Sequence, residues 1–316
     1  MSKVLITGIN GFIGKHLVDL LSENNAEIFG LDLSKTSTDI TGKPRKVAKI
    51  YYVDVRDKKS VTKIIHAIKP AYLFHLAGLI TRDNLNDLLD INVFDTKNIL
   101  DTIIDSNIKV LIPGSAAEYG CVIKDKLPIS EDIAPLPIDN YGLSKLAQTL
   151  LGYQYYQTYG CRIYLARVFN ICGPEEPERL VCAKIAKQII KIQKEKLEPT
   201  IYVGNFETKR DFTDVRDVVK AYWAIINKGE TGEIYNICSG EARSVKEIVD
   251  ILSRIVGAVF TIKQDKTLVK KVDIPISIGC NKKIKNKTGW TPLIPLEKTL
   301  EDLLVALNNN AIDGRY

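Results

Sequence analysis

Lys3-Val4-Leu5-Ile6-Thr7-Gly8-Ile9-Asn10-Gly11-Phe12-Ile13-Gly14 opens with a short apolar run and continues into three glycines spaced three apart. The run Lys3–Thr7 reads as a buried strand, and the periodic stretch Phe12–Glu23 that follows reads as a helix. In a strand–turn–helix setting each glycine has a separate task. Gly8 permits the tight turn, Gly11 lets the backbone approach a pyrophosphate, and Gly14 allows the helix to pack closely on the strand. The anion then rests on the helix N-terminus, where free N–H groups and the macrodipole favour it. Asn10, Phe12 and Ile13 complete the expected dinucleotide-binding turn.

The pattern outward from this turn repeats. Ala26–Leu31, Ile50–Val53, Ala71–His75 and Lys109–Pro113 read as further buried strands, with helices at Phe12–Glu23, Lys58–Ile68 and Leu85–Ser106. Tyr141–Tyr159 reads as another helix and Arg162–Val168 as another strand. Strand–helix alternation with β-branched apolar runs predicts an α/β, Rossmann-type doubly wound parallel sheet. After Asn170 the pattern changes: Gly173-Pro174 breaks the chain, and helices are expected at Leu180–Lys194, Asp214–Asn227, Ser244–Val256 and Leu296–Asn308. Short strand-like pieces such as Glu233–Ile237 lie among them. This gives a dinucleotide-binding domain over 1–168, to which a segment around 211–237 returns, and a smaller mixed α/β substrate-binding domain over 169–316.

Asp32 closes the second strand. A carboxylate there can accept from both hydroxyls of an adenosine ribose and would repel a 2′-phosphate, so NAD(H) is the expected cofactor. Asp54-Val55, after the third strand, is placed to meet the adenine edge, although Asp54 could equally cap the following helix.

Bulk properties exclude several classes. The 316 residues are 45% hydrophobic and 26% charged, which argues against disorder and low complexity. The formal charge of +6 is spread along the chain, so nucleic acid is not an expected partner. Six cysteines and three histidines show no metal-ligand spacing, and no metal is expected. The opening runs directly into Val4-Leu5-Ile6, and no apolar run approaches membrane-spanning length. A cytoplasmic protein with reduced thiols is expected.

Tyr141 and Lys145 stand at i and i+4 on one helix face. A lysine ammonium beside a phenol favours the phenolate, which turns tyrosine into a general acid/base near neutral pH. Ser115 follows the strand Val110-Leu111-Ile112, at the edge of the sheet where ligands bind, and its hydroxyl could meet a substrate carbonyl oxygen. Alone, it would be a turn residue.

Taken in order, these pieces resemble the extended short-chain dehydrogenase/reductase family over essentially the whole chain. The matching set is the glycine turn, Asp54-Val55-Arg56-Asp57, His75-Leu76-Ala77-Gly78, Asn92, Ser115, Tyr141/Lys145, Arg167-Val168-Phe169-Asn170 and Gly173-Pro174. The resemblance implies that Tyr141 moves the proton of the sugar oxygen. Lys145 would lower its pKa and hold the nicotinamide ribose, and Ser115 would orient the oxygen. Leu76, Ala77, Gly78 and Asn92 would belong to the cofactor side.

The stretch Val203–Asp217, with Tyr235–Gly240 and Thr288-Gly289-Trp290, looks much like the branch of GDP-mannose 4,6-dehydratases and GDP-4-keto-6-deoxy-mannose reductases. By that likeness Arg210 pairs with the nucleotide diphosphate, Asn170 faces the substrate, and Glu118, Asn205 and Lys270 join them. Three departures stand out. Lys270 replaces a second phosphate-binding arginine, and Asp32 stands where the reductases often lack a carboxylate. Ala116 and Ala117 occupy the two positions where related dehydratases carry their acid/base pair.

The resemblance therefore implies NAD(H)-dependent hydride transfer at C4 of a GDP-mannose-type sugar, by 4-keto reduction or C4 oxidation, without dehydration. A 4-epimerase of the same fold is the rival, and a non-catalytic NAD-sensing or RNA-binding protein is a remote one. Leu146, Leu150 and Tyr153, with an apolar face on Leu85–Ser106, suggest a homo-oligomer, a dimer or higher.

Overall fold

The glycine turn lies between the first strand and the first helix of a seven-stranded sheet whose neighbours all run parallel. The computed structural model describes residues 2–34, 46–80, 84–269 and 273–312. The first half is built from β1 (Lys3–Thr7), α1 (Phe12–Glu23), β2 (Glu27–Asp32), β3 (Lys49–Tyr52), α2 (Lys58–Ile68) and β4 (Tyr72–His75). It continues with α3 (Leu85–Leu89), α4 (Asp95–Thr102), β5 (Lys109–Ser115), α5 (Asn140–Tyr159) and β6 (Arg162–Val168). The second half holds β7 (Asn170–Cys172), α6 (Val181–Glu195), β8 (Thr200–Val203), β9 (Lys209–Asp214), α7 (Val215–Lys228) and β10 (Ile234–Ile237). It ends with β11 (Ala242–Ser244), α8 (Val245–Val256), β12 (Thr261–Gln264), β13 (Ile276–Ser277), α9 (Lys282–Thr288) and α10 (Leu296–Ile312).

The order in the large sheet is β10-β6-β5-β4-β1-β2-β3. Its central strands are apolar along their length because both faces are covered. On one face Leu17, Val18 and Leu21 of α1 pack with Val218, Tyr222 and Ile225 of α7. On the other, Val61 and Ile65 of α2 meet Ile99 and Leu100 of α4 and Tyr155 of α5. The chain leaves β1 towards β2 and β3 on one side, while β4, β5 and β6 lie on the other. Such a reversal opens a crevice beyond the carboxyl ends of β1 and β4, where ligands bind in open α/β sheets.

A second core is made by α6, α8 and α10 around Ile185, Ile189, Ile248, Leu252, Leu300 and Leu303. Beside it β9 pairs with β7 and β13 in parallel and with β11 antiparallel, and β8 pairs with β12. The segment that returns to the large sheet starts later than expected. Residues 211–214 stay in the small sheet as part of β9, and α7 and β10 make the return. A later piece returns as well: α9 lies against α7 and β10, and Ile284 and Trp290 enter the large-sheet core. The Trp290 indole N–H donates to the Asp217 carbonyl at 3.0 Å, which fixes this return.

One expected helix is interrupted. Leu85–Ser106 is not continuous: α3 passes into a π turn at Asp90–Phe94 before α4 begins, and α4 ends at Thr102. The inserted residue turns Asn92 inward, where it is fully buried. Among the described residues no helix is long and apolar enough to cross a membrane, and no group of three His, Cys, Asp or Glu could hold a metal ion.

Candidate active site

The glycine turn is dictated by close approach. Gly8 has φ +68°, and a Cβ there would lie 2.9 Å from the Ala77 nitrogen. A Cβ on Gly14 would fall 2.5 Å from the Gly8 carbonyl oxygen and 2.6 Å from that of Ile9, so α1 can approach the turn only with glycine at this position. Gly11 is the N-cap of α1 and no side chain caps the helix. The first-turn N–H groups therefore face the crevice with no side-chain acceptor, and a dinucleotide pyrophosphate fits that need. Behind the turn Asp32 accepts from the backbone N–H of Asn10 at 2.9 Å and of Ser34 at 3.1 Å. This holds the carboxylate at the end of β2, against the glycine turn.

A cavity of about 770 Å³ runs from this turn across the carboxyl edge of the sheet. Gly8, Asn10, Gly11, Phe12 and Ile13 form one wall, with Leu76 and Gly78 after β4. Ser115 at the end of β5 and Tyr141 in the first turn of α5 face the same space. Ala77 and Gly14 lie just behind the wall: the Ala77 N–H donates to Thr7 Oγ1 at 3.1 Å. Asn92 also stands behind it. Its amide spans the backbone N–H and C=O of Leu79, at 2.8 and 3.0 Å, and donates to Ser144 Oγ at 3.0 Å. It braces the loop after β4 against α5 and is not part of the described cavity wall.

Lys145 is buried one helical turn beyond Tyr141, and its Nζ donates to Gln148 Oε1. Burial pushes its pKa down to about 8, and the nearby Glu118 charge opposes that fall. At neutral pH it remains an ammonium, the state that favours a tyrosine phenolate.

Ser115 and Glu118 form a capping box. The Ser115 hydroxyl accepts from the Ala117 N–H at 3.2 Å, and Glu118 Oε1 accepts from the Ser115 N–H at 2.8 Å. Glu118 also accepts from Thr149 Oγ1 at 3.1 Å and pairs with Arg167 Nε at 2.7 Å. Its carboxylate is fully buried and committed on both oxygens, which corrects the expectation that it meets substrate. Asn205 is corrected likewise: its side chain accepts from the Glu207 N–H at 3.2 Å, closing its own turn, and it is not on the described cavity wall. Asp54 neither caps α2, whose N-cap is Asp57, nor stands free for adenine. Arg56 binds it at 2.5 Å and holds its carboxyl below the usual carboxylate range. Val55 follows it half-buried, and neither Asp54 nor Val55 is on the described wall.

On the far side of the cavity stand Asn170 and Arg210. Arg210 donates to Asp273 at 2.7 Å and to the Ile274 carbonyl at 2.6 Å, which fixes the guanidinium at the rim. Lys270 lies outside the described residues. Sequence reasoning overlooked the loop after Gly173-Pro174. Glu175 carries φ +66° and pairs with Lys15 of α1 at 3.3 Å, both nearly buried, so this loop is tied to the cofactor helix. Glu176 accepts from the N–H groups of Gly173 and Ala183 at 3.3 Å, and burial pushes its carboxyl up to about 8. The one available signal was two successive acids after a chain-breaking Gly-Pro.

Residues 5–303 match the family model described as GDP-mannose 4,6 dehydratase. The chain belongs to that family. It is 31% identical over 293 residues to GDP-6-deoxy-D-talose 4-dehydrogenase of Aggregatibacter actinomycetemcomitans, covering 91% of each chain. It is 29% identical over 308 residues to GDP-6-deoxy-D-mannose reductase of Pseudomonas aeruginosa, covering 96% of each. Among solved structures it resembles the P. aeruginosa RMD complexed with NADPH, with a TM-score of 0.84 at 28% identity over 97% of this chain and 98% of that one. It also resembles the Thermotoga maritima UDP-glucose 4-epimerase with UDP-glucose, with a TM-score of 0.88 at 25% identity over 98% and 99%. This is an enzyme of the extended short-chain dehydrogenase type, with a nicotinamide dinucleotide cofactor.

Asp32 sets an expected cofactor preference. A carboxylate beside a 2′-phosphate is a like-charge clash, so NAD(H) should bind tighter than NADP(H) by roughly tenfold or more. Asp32→Ala should narrow that gap. Dissociation constants for both cofactors, measured on both proteins, decide it: equal or tighter NADP(H) binding by the unaltered protein removes the assigned role.

Proposed function

We propose that the protein transfers a hydride at C4 of the sugar of a GDP-mannose-type nucleotide, with NAD(H), by 4-keto reduction or C4-hydroxyl oxidation and without dehydration. The observation that carries this reading is one cavity shared by the glycine turn, Ser115 and Tyr141, with Lys145 buried a turn behind. The names of the relatives, a 4-dehydrogenase and a reductase of GDP-6-deoxy sugars, support the same chemistry.

The bound nicotinamide supplies or takes the hydride. The protein moves the proton. In oxidation the Tyr141 oxygen accepts the proton of the sugar hydroxyl, and in reduction it returns a proton to the same oxygen. Lys145 favours the phenolate, and the Ser115 hydroxyl donates to the sugar oxygen from the end of β5. Arg210 and Asn170 receive the nucleotide diphosphate side, where a guanidinium offers bidentate recognition. Residues before 169, together with the returning α7, β10 and α9, carry the cofactor side, and the other residues after it carry the substrate side.

A 4-epimerase reading is favoured by the TM-score of 0.88 with a UDP-glucose 4-epimerase. Recovery of both C4 epimers from one pure sugar nucleotide would establish it. The six cysteines are free thiols, which suits a cytoplasmic protein.

Self-association is proposed through α5. Leu150 and Tyr153 are 57% and 44% exposed on its outer face, with Phe94 of the π turn 57% exposed nearby in the fold. Burying such a face needs a partner, and a second copy supplies a self-complementary one. Light scattering at micromolar concentration should give at least a dimer mass, and a monomer would exclude this assembly.

Turnover of GDP-4-keto-6-deoxy-mannose with NADH should give a product two mass units heavier. Tyr141→Phe should lower that rate by about 10²–10⁴ while cofactor affinity stays nearly unchanged. Near-normal turnover in the variant would assign the proton to another group.

The absence of dehydration is a separate outcome. Loss of water across C5–C6 needs a base for the C5 proton and an acid for the C6 hydroxyl. Ala116 and Ala117 can be neither, and Glu118 is sealed against Arg167. GDP-mannose incubated with enzyme and NAD in deuterium oxide should show no deuterium at C5 and no product 18 mass units lighter. Either signal would make the enzyme a dehydratase.

A further inference from the structure

We propose that Gln148 is a positioning residue for Lys145, an amide brace whose single permitted orientation keeps a lone pair on the lysine ammonium. The proposal rests on the assignment of Tyr141 and Lys145 as the acid/base pair.

The brace follows from proton accounting. Gln148 Nε2 lies 2.7 Å from Thr96 Oγ1, and its Oε1 faces Lys145 Nζ. The Thr96 hydroxyl has one proton and donates it to the Asn92 carbonyl at 2.7 Å. Thr96 can therefore only accept from Gln148, so the amide nitrogen must face Thr96 and the amide oxygen must face Lys145. A flipped amide would set an NH₂ against an ammonium. It would also set an oxygen against a hydroxyl whose proton is already committed.

The far side obeys the same count. His75 Nε2 lies 2.9 Å from Thr96 Oγ1 and must be the protonated ring nitrogen, because Thr96 has no proton left to give. His75 Nδ1 then accepts from Thr7 Oγ1 at 2.8 Å, and Thr7 Oγ1 accepts from the Ala77 N–H at 3.1 Å. Thr96 thus donates once and accepts twice, the full capacity of a hydroxyl. Thr7, His75, Thr96, Gln148 and Lys145 are all buried. Burial holds His75 neutral, with its pKa down to about 3, so the chain brings no second positive charge towards Lys145.

The other groups facing Lys145 act differently. Tyr141 is the residue it serves. Glu118 contributes its field from the turn after β5, but its oxygens are taken by Ser115, Thr149 and Arg167 of β6. Gln148 is the one described side chain that accepts directly from the Nζ. An apolar residue in its place would leave a buried ammonium proton without an acceptor, which disfavours the charged form and frees the nitrogen to swing.

The test compares Gln148→Leu and Gln148→Glu with the unaltered full-length protein. The Lys145 titration midpoint is read by NMR of labelled lysine side chains, assigned with Lys145→Met. Gln148→Leu should lower the midpoint by about one pH unit, a tenfold change in the protonation equilibrium constant. Gln148→Glu should raise it. In turnover, Gln148→Leu should lower kcat for alcohol oxidation by about twofold at pH 7 and by about tenfold at pH 9, within the roughly 10²–10⁴ that positioned proton transfer supplies. The KM for the sugar nucleotide should hold and the alkaline limb of the profile should move to lower pH, whereas Gln148→Glu, which keeps an acceptor on the ammonium but sets its second oxygen against Thr96, should move that limb to higher pH. A purely structural role would lower Tm yet leave midpoint and pH profile in place, and that result overturns the proposal. Should Gln148→Leu fail to fold, a Gln148→Glu midpoint that does not rise overturns it too. An unaltered protein that turns over no GDP-sugar defeats the assigned activity instead, and the NMR midpoints still decide the role of Gln148.

Discussion

Glu118 is met on every side by a different part of the fold. Its carboxylate accepts from the backbone where β5 ends, from Thr149 on α5 and from Arg167 on β6. Arg167 in turn stacks over the Tyr119 ring at 4.7 Å, and the Tyr119 hydroxyl donates to Asn236 on β10 at 2.8 Å. A buried ion pair contributes little net stability compared with an apolar replacement, but losing one partner costs about 3–5 kcal/mol because the other charge is stranded. That is a large share of the roughly 5–15 kcal/mol that holds a typical domain folded. The value of this carboxylate is geometric. It locks Ser115 to the strand end and α5 to the sheet, and its field supports the Lys145 ammonium.

The same commitment bears on the proposed absence of dehydration. In this chain the only acid in the serine loop is spent on architecture, and the neighbouring Ala116 and Ala117 present methyl groups to the cavity.

The parallel sheet, the glycine turn and the Tyr141/Lys145 spacing were legible because each is written locally. Apolar runs announce buried strands, glycines announce close approach, and a separation of four announces one helix face. The misreadings share an opposite cause. Glu118 has a local Ser-x-x-Glu signature that announces a capping box, but its pairing with Arg167 spans 49 residues and has none. The Asn205 amide oxygen closes its own turn by accepting from the Glu207 N–H. The loop from Gly173 onward earned only the label of a chain break, because a strained Glu175 paired with Lys15 is visible only once α1 is in place. The return of α9 was hidden for the same reason: its apolar content is slight, and Ile284 finds the large-sheet core only after α7 has docked.

The π turn at Asp90–Phe94 acts as a phase shifter. Each residue added to a helix rotates everything beyond it by about 100° around the axis. With one residue fewer, Thr96 would swing away from His75 and Gln148, and Ile99 and Leu100 would leave the core they fill. No single side-chain replacement can compensate for that rotation. The helix and the polar chain behind Lys145 therefore depend on one register. The length of this segment, more than the identity of any one residue in it, therefore sets which side chains face inward.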